Sequence, residues 1–357
     1  MRGHHVVPRF LIARWQAPDG KVTVADFEAL VVRDERPDDL DARPNFNRLQ
    51  FHDDPEALEH GFFGALESNA ARAIDELVAS RQPVEHANYA RTNGFRPGQL
   101  LKGKRAVRFA QFLAAQAVRG PDWRKEANAH TAAAVAAEIE TRVRAELEAT
   151  ADPEEIERLN GMLGLRYQAI VEGDTLPQLA AALTTSIGEV LYCEYVPTVM
   201  RMPAPLLCLG NDPLVFIEEE GAVGVGSYSQ IAARRGNLPF SVRRDVPSFI
   251  SAAVDVVRGH KMIAMPVDPQ HAVVLYPWKR LQPPGLYSVD ATIGQLLNGV
   301  ATVASRRWLV VPPGRREAAR EAVYRANPGL RKADVHRAER GLPLHTDPRR
   351  STDARAR

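Results

Sequence analysis

The sequence predicts an α+β fold in which a helix-rich N-terminal and middle part packs against a small, mostly antiparallel C-terminal sheet. Apolar residues recur at helical spacing over residues 56–200, whereas short apolar runs between turn-forming residues dominate residues 203–311. A strand predicted over residues 21–27 is a candidate to join that sheet. We therefore expect one domain over residues 1–328 and a disordered basic tail over residues 329–357.

Length and charge limit the classes of function. A chain of 357 residues can bury about 75% of the surface that it exposes when unfolded, so a large core is available. The formal net charge of +2 is too small to indicate nucleic-acid or membrane binding by the whole-chain field. From Arg331 onward, eight Lys or Arg face four Asp or Glu. Nucleic acid therefore stays a weak candidate partner, through the tail, and a solvated tail is the simpler interpretation.

The sequence also predicts the compartment. It has no signal-peptide core and no run of 18 apolar residues, which indicates a soluble cytoplasmic protein without a membrane partner. Cys193 and Cys208 lie in apolar contexts, so we expect two buried thiols in a reducing compartment, with a single disulfide between them as the alternative.

The N-terminal segment places polar side chains beside an apolar run. Gly3-His4-His5 is followed by Val6-Val7-Pro8-Arg9-Phe10-Leu11-Ile12, and an apolar run so near residue 1 should be anchored in the core with its two histidines. A tag remnant and a purely structural histidine pair are the alternatives. After the strand over 21–27, residues 33–55 are rich in Asp, Arg and Pro and predict an ordered loop.

The middle of the chain is predicted to be helical. Apolar residues at threes and fours predict a helix from about Pro55 to Pro83, with Glu67 on it, and another from Leu100 to Arg119. The second helix has a polar strip that includes Gln116 and Arg119, which either faces solvent or lines a cavity. Further helices are predicted over 123–149, 153–172 and 176–195, and the first two suit an insertion or a partner surface equally well.

The C-terminal part alternates short strands with two helices. Gly210-Asn211-Asp212-Pro213 predicts a sharp turn between two buried strands. The predicted strands are 205–209, 214–217, 262–266, 271–276 and 308–311, and the predicted helices are 289–304 and 315–325. Nucleotide-binding, nucleophile-elbow and zinc-helix motifs are not found, and the glycines of Gly221–Gly226 have the wrong spacing and follow three glutamates.

Several segments together resemble a family catalogued as domain of unknown function 4238, which is common in bacteria. The first and most specific is the opening His-His-x-x-Pro-Arg-Phe motif. In the turn, Gly210 stands where the family has serine, and Asn211 and Asp212 are exchanged. The resemblance implies a bacterial origin and brings no activity. The segments that carry it are His4–Leu11, Leu66-Glu67, Phe112–Arg119, Gly210–Leu214, Met265–Pro269 and Leu297-Asn298.

The polar residues of these segments are candidates for one site. Buried charges are tolerated when they are paired, so Arg9 or Arg119 should meet Glu67 or Asp212. A structural polar network without chemistry is the simplest interpretation. The candidate catalytic residues are His4, His5, Glu67, Arg119 and Asp212, and the candidate binding residues are Arg9, Gln116 and Asn211.

One functional hypothesis is a hydrolase that acts on phosphodiesters. His4 and His5 with Glu67 or Asp212 would hold a divalent metal that activates water, while arginines stabilise the phosphoryl charge. A metal-free version would use one histidine as general acid or base. The alternative is a non-enzymatic sensor or binding module, in bacterial stress or phage defence, whose polar site recognises a ligand or partner.

Overall fold

The structure, a computed structural model, confirms the α+β class. It describes residues 4–43, 46–49, 53–79, 101, 103–120, 123–124, 176–217, 225–234, 246–258, 260–277, 286–327, 329–330 and 332–341. The helices predicted over 123–149 and 153–172 lie outside these residues except for 123 and 124, as does most of the glycine-rich segment 221–226.

Helices make up most of the described residues between 57 and 194. A 3₁₀ turn (Ala13–Trp15) follows the first α-helix, and a π-helix (Ala57–Phe63) runs directly into the second. The α-helices are α1 (Arg9–Ile12), α2 (Gly64–Ala79), α3 (Lys104–Val118), α4 (Leu176–Glu194), α5 (Tyr228–Arg234), α6 (Val246–Val257), α7 (Ala291–Ala304), α8 (Arg316–Ala326) and α9 (Lys332–Glu339).

The strands form three sheets. They are β1 (His4–His5), β2 (Val22–Asp26), β3 (Val31–Glu35), β4 (Ala42–Arg43), β5 (Tyr195–Arg201), β6 (Leu209–Gly210), β7 (Val215–Ile217), β8 (Val225–Gly226), β9 (Met262–Pro266), β10 (His271–Pro277), β11 (Leu286–Ser288) and β12 (Trp308–Val311). Their orders are β1-β4, β11-β5-β10-β9-β7-β8 and β3-β2-β12-β6, and the β11–β5 pair is parallel while the other pairs are antiparallel.

The six-stranded sheet is buried on both faces. Along β10, Val273 and Leu275 join the main core with α3 and α4, whereas Ala272 and Val274 pack with α7 on the other face. Successive side chains of a strand point to opposite faces, so a continuous apolar run is what two covered faces require.

The four-stranded sheet separates the main core from the C-terminal helices. Trp308 and Val310 of β12 face the main core, and Leu309 and Val311 face α8 and α9. In this sheet Thr23–Asp26 of β2 pair with Trp308–Val311 of β12, so segments far apart in the sequence are joined by backbone hydrogen bonds. This sheet holds the N-terminal segment, and with it His4, against the rest of the molecule.

Four local predictions are wrong. Strand β3 occupies part of the segment 33–55 that we expected to be a loop, and residues 205–208 are not a strand. Residues beyond 328 were expected to be disordered, yet α9 buries Asp334 and Val335 because its apolar side packs on α8 and β3. Residues 342–357 lie outside the described residues. Cys208 is buried as predicted, but Cys193 is exposed, and both are free thiols.

Among the helices that the structure describes, none is long and apolar enough to cross a membrane.

Candidate functional site

His4 is held between two protein partners. The two-residue pairing of β1 with β4 brings His4 opposite Arg43, and Asn47 follows four residues later in the chain. The backbone N–H of Asn47 donates to His4 Nδ1 at 2.8 Å, and His4 Nε2 lies 2.9 Å from Glu56 Oε2. A backbone N–H can only donate, so Nδ1 is the acceptor and Nε2 carries the proton that is donated to Glu56. His4 is therefore a neutral imidazole with a fixed tautomer.

This arrangement bears on the metal hypothesis. The lone pair of His4 Nδ1 accepts from Asn47 and Nε2 carries the proton, so His4 has no free lone pair for a metal ion. Within the described ranges, no group of three or more His, Cys, Asp and Glu side chains is arranged to hold a metal ion. The described geometry thus gives a divalent metal at His4 and His5 no further support.

A π-helix sets the position of Glu59. The N–H of Gly64 bonds to the carbonyl of Glu59, five residues back, and a Cβ at Gly64 would lie 2.9 Å from that oxygen. Glycine therefore accommodates the wide turn. π-Helical turns are rare in proteins, and those that occur are often found at functional sites. Here the turn directs Glu59 towards Asn47, whose amide donates to Glu59 Oε2 at 2.6 Å.

Arg119 is the buried cation at the base of the site. It ends α3 and is 1% exposed. One terminal nitrogen donates to Glu67 in the first turn of α2, and the other donates to Glu59 at 3.2 Å and 3.4 Å. Its guanidinium lies 4.7 Å from the ring centroid of Phe63, a cation–π contact. Two carboxylates compensate the charge that burial would otherwise make costly.

Arg124 is a second arginine beside the first. Its terminal nitrogens donate to the carbonyl of Phe46 and to Asn47 Oδ1, and its guanidinium lies 3.6 Å from the centroid of the Phe46 ring. Burial, and next the charge of Arg119, lower the pKa of Arg124 to about 9. Arg124 therefore stays cationic at neutral pH.

Asn47 joins the parts into one network. Its backbone contacts His4, its amide nitrogen contacts Glu59 and its amide oxygen contacts Arg124. We call the connected residues the ionic network, and they are His4, Asn47, Glu56, Glu59, Glu67, Arg119 and Arg124.

Two predicted site residues lie elsewhere. His5 follows His4 on a strand and so points to the other side, where its Nε2 donates to the carbonyl of Asp38 at 3.2 Å. Arg9 is 64% exposed in its side chain and pairs with the Asp38 carboxylate. Arg9 therefore does not form the predicted buried pair with Glu67 or Asp212, whereas Arg119 does pair with Glu67.

The turn after β6 has a structural role at its first polar residue. Asn211 Oδ1 accepts hydrogen bonds from the backbone N–H groups of Arg306 and Arg307 at 3.0 Å and 2.9 Å. Asp212 accepts from the Asn211 amide at 2.9 Å, and its Oδ1 would lie 2.9 Å from a Cβ at Gly120. Asp212 is thus next to the chain that follows Arg119, and Asn211 fixes the segment before β12.

Gln116 lies one turn before Arg119 on α3. It is 4% exposed, its amide nitrogen makes a long 3.4 Å bond to the carbonyl of Phe112, and its Oε1 is buried without a partner among the described residues. The polar strip of α3 is therefore buried at these two positions instead of facing solvent.

Sequence reasoning missed four residues of the ionic network. Glu59 was visible on the predicted helix, but helical spacing does not reveal a π-turn. Asn47 and Glu56 come from the irregular segment before it, and Arg124 follows the Gly-Pro that ends α3. A signal that could have found Glu59 is the pair Gly61 and Gly64 inside a helical pattern, which indicates altered backbone geometry.

The fold and the network define an α+β protein with a histidine, glutamate and arginine network that reaches the surface. The chain belongs to the family described as "Protein of unknown function (DUF4238)", whose model matches residues 3–208. The match includes every member of the ionic network and ends before Asn211. No curated protein and no solved structure matches the chain.

Proposed function

We propose that the protein is a binding module that recognises its ligand at the ionic network. The observation that carries this proposal is a gradient of exposure. The Arg119 side chain is 1% exposed, those of Glu59 and Glu67 are 18% and 24% exposed, and that of Glu56 is 34% exposed. The network is thus anchored at its buried end by Arg119 and is exposed to solvent at Glu56.

Fixed polar groups favour binding. Each charged member is held by at least one other member, so few side chains need to be ordered when a ligand arrives. A purely structural network needs Glu59 and Glu67 to compensate the charge of Arg119. It does not need the more exposed Glu56 beside His4, since exposed ion pairs add little stability.

Asn47→Ala tests the proposal. The substitution removes the amide that joins Glu59 to Arg124 but keeps the backbone bond to His4. We expect a loss of about 1–3 kcal/mol in stability and at least a tenfold loss of ligand affinity. The measurement is thermal stabilisation and calorimetry with a panel of nucleotides, sugar phosphates, amino acids and dicarboxylates.

Asn298→Ala is the matched control. Asn298 also makes two hydrogen bonds, to the backbone of Cys208 and Leu206, but it lies on α7 outside the network. It should lower stability without changing affinity. If no panel compound depends on Asn47 more than on Asn298, the binding proposal is wrong.

A metal-free hydrolase is the second candidate. The observation in its favour is the His4–Glu56 pair, in which the imidazole tautomer is fixed and the carboxylate is accessible. Such a pair suits general acid–base catalysis on a phosphodiester, although both arginines already use terminal nitrogens within the protein.

His4→Gln and His5→Gln separate this candidate from binding alone. With bis(p-nitrophenyl) phosphate as substrate, His4→Gln should abolish turnover that EDTA does not inhibit, and His5→Gln should leave it unchanged because His5 faces Asp38. Absent turnover in the wild type, or equal rates in the two variants, would exclude this chemistry.

A further inference from the structure

Arg124 is a cation whose partners are neutral. Its two described hydrogen-bond acceptors are a backbone carbonyl and a side-chain amide, and it forms no ion pair with any residue that the structure describes. A charge removed from water without a counter-ion is costly, and other buried charges of proteins are paired. The positive charge of Arg124 therefore has no counter-ion among the described residues.

The nearest carboxylates are already used. Glu59 and Glu67 both bind Arg119, so the arginine deepest in the site has two anionic partners. Glu59 still acts on Arg124 through space, but Arg119 and Arg43 oppose it, and the pKa of Arg124 is lowered by burial first and by Arg119 next. The charge balance around Arg124 favours one more negative group.

Arg124 also has donors to spare. A guanidinium carries five N–H groups, and the described bonds to Phe46 and Asn47 use two of them. Its Nε is without a partner among the described residues, and so is Nε1 of the adjacent Trp123, which is 2% exposed. Arg124 itself is partly exposed, so a small anionic group can reach it.

We propose that Arg124 binds an oxyanion group of the ligand, a carboxylate or a phosphate. This group would supply the negative charge that no described carboxylate provides to Arg124. This inference rests on the proposed function that the ionic network binds a ligand. Stacking on Phe46 fixes the plane of the guanidinium, which presents its remaining donors in the geometry that oxyanions accept. Arg119 is a positioning residue that keeps Glu59, and through it Asn47, in place.

The indole N–H of Trp123 provides a direct measurement. In ¹H–¹⁵N spectra of the full chain, with indole signals assigned by Trp→Phe variants, inorganic phosphate and acetate are titrated separately at constant ionic strength. We expect a saturable shift of the Trp123 indole signal with at least one anion, and the tighter anion identifies the group. The Trp15 indole, which donates to the carbonyl of Leu207 at 2.7 Å, should not move.

Arg124→Gln should weaken the anion at least tenfold while the Trp15 signal shows that the fold is kept. Arg124→Lys, which keeps the charge but loses the planar fork, should retain part of the affinity. No saturable shift in the wild type, or the same affinity in Arg124→Gln, would overturn the inference.

The outcome is distinct from that of the binding proposal. If a panel compound depends on Asn47 but binds Arg124→Gln as tightly as the wild type, the protein is a binding module and the oxyanion inference is wrong. If the anion depends on Arg124 while no panel compound depends on Asn47, the anion site stands and the binding proposal fails.

Discussion

Trp123-Arg124 and Arg307-Trp308 are adjacent pairs of tryptophan and arginine with the same unsatisfied groups. In both, the indole N–H and the arginine Nε are buried without partners among the described residues. Arg307, however, donates to both oxygens of Asp41 at 2.7 Å and 3.4 Å, and the Asp41 side chain is 2% exposed. Arg124 has neutral acceptors instead. Unpartnered N–H groups therefore do not distinguish the two arginines, and the counter-ion does.

The comparison indicates different roles for the same residue types. Arg307 and Asp41 form a closed ion pair beside the backbone bonds of Asn211, so this region is complete without a ligand. The region of Arg124 lacks such a pair, because both described acceptors of Arg124 are neutral.

The largest expected effect is the difference between Arg307→Met and Arg124→Met. Loss of Arg307 leaves Asp41 buried without its main partner and should cost about 3–5 kcal/mol. Loss of Arg124 removes a cation that has no carboxylate, so its cost should be smaller by about 2 kcal/mol or more. Urea unfolding of both variants measures the difference, and equal losses would erase the distinction between the regions.

Gly64→Ala should have a smaller effect, because it perturbs the π-turn that places Glu59 against Arg119 and Asn47. The new Cβ would lie 2.9 Å from the Glu59 carbonyl, so the turn must shift, at a cost of about 1–3 kcal/mol. The midpoint temperature of thermal unfolding and the affinity for phosphate should both decrease.

Gly61→Ala is the matched control for Gly64→Ala. It lies in the same π-helix, and a Cβ added there would have no atom within 4 Å, so the substitution should be neutral or slightly stabilising. If both substitutions behave alike, the close approach at Gly64 is not what positions Glu59.

The smallest expected effect is a dependence on alkaline pH that Arg124 confers. Its pKa is lowered to about 9, so above that pH the folded protein releases a proton that the unfolded chain retains. The unfolded state then binds more protons, and stability rises with pH by up to about 1.4 kcal/mol per unit relative to Arg124→Met. Urea unfolding of both proteins on either side of pH 9 measures it, and a constant or falling difference contradicts it.

Periodic segments allowed the sequence to predict most of the fold. Val273 and Leu275, or Leu66 and Ala70, follow the periods of a strand and a helix, and the structure has those elements. Strand β3 was missed because its charged residues hide the alternation, and α9 because few apolar side chains suffice to anchor a short helix.

The site was predictable to a lesser extent. His4, Glu67 and Arg119 come from patterned segments and meet in the network, but Arg9 shows the limit of this reasoning. It belongs to a single helical turn in which Leu11 and Ile12 face the core, so Arg9 faces solvent although its neighbours are apolar. Asn47 comes from an irregular segment, where no period indicates which way a side chain points. Arg124 lies at the start of the helix predicted over 123–149, where the sequence analysis assigned no buried face.

The pairing of β2 with β12 has a consequence for biosynthesis. The hairpin of β2 and β3 leaves the ribosome early, yet the strand that completes its sheet begins at Trp308. At ribosomal rates the open edge of β2 waits on the order of tens of seconds for its partner. An open strand edge can pair with other chains, so the nascent protein is exposed to aggregation during that interval. A fragment that ends at residue 208 would keep this edge open, so chains that include β12 are the better material for expression.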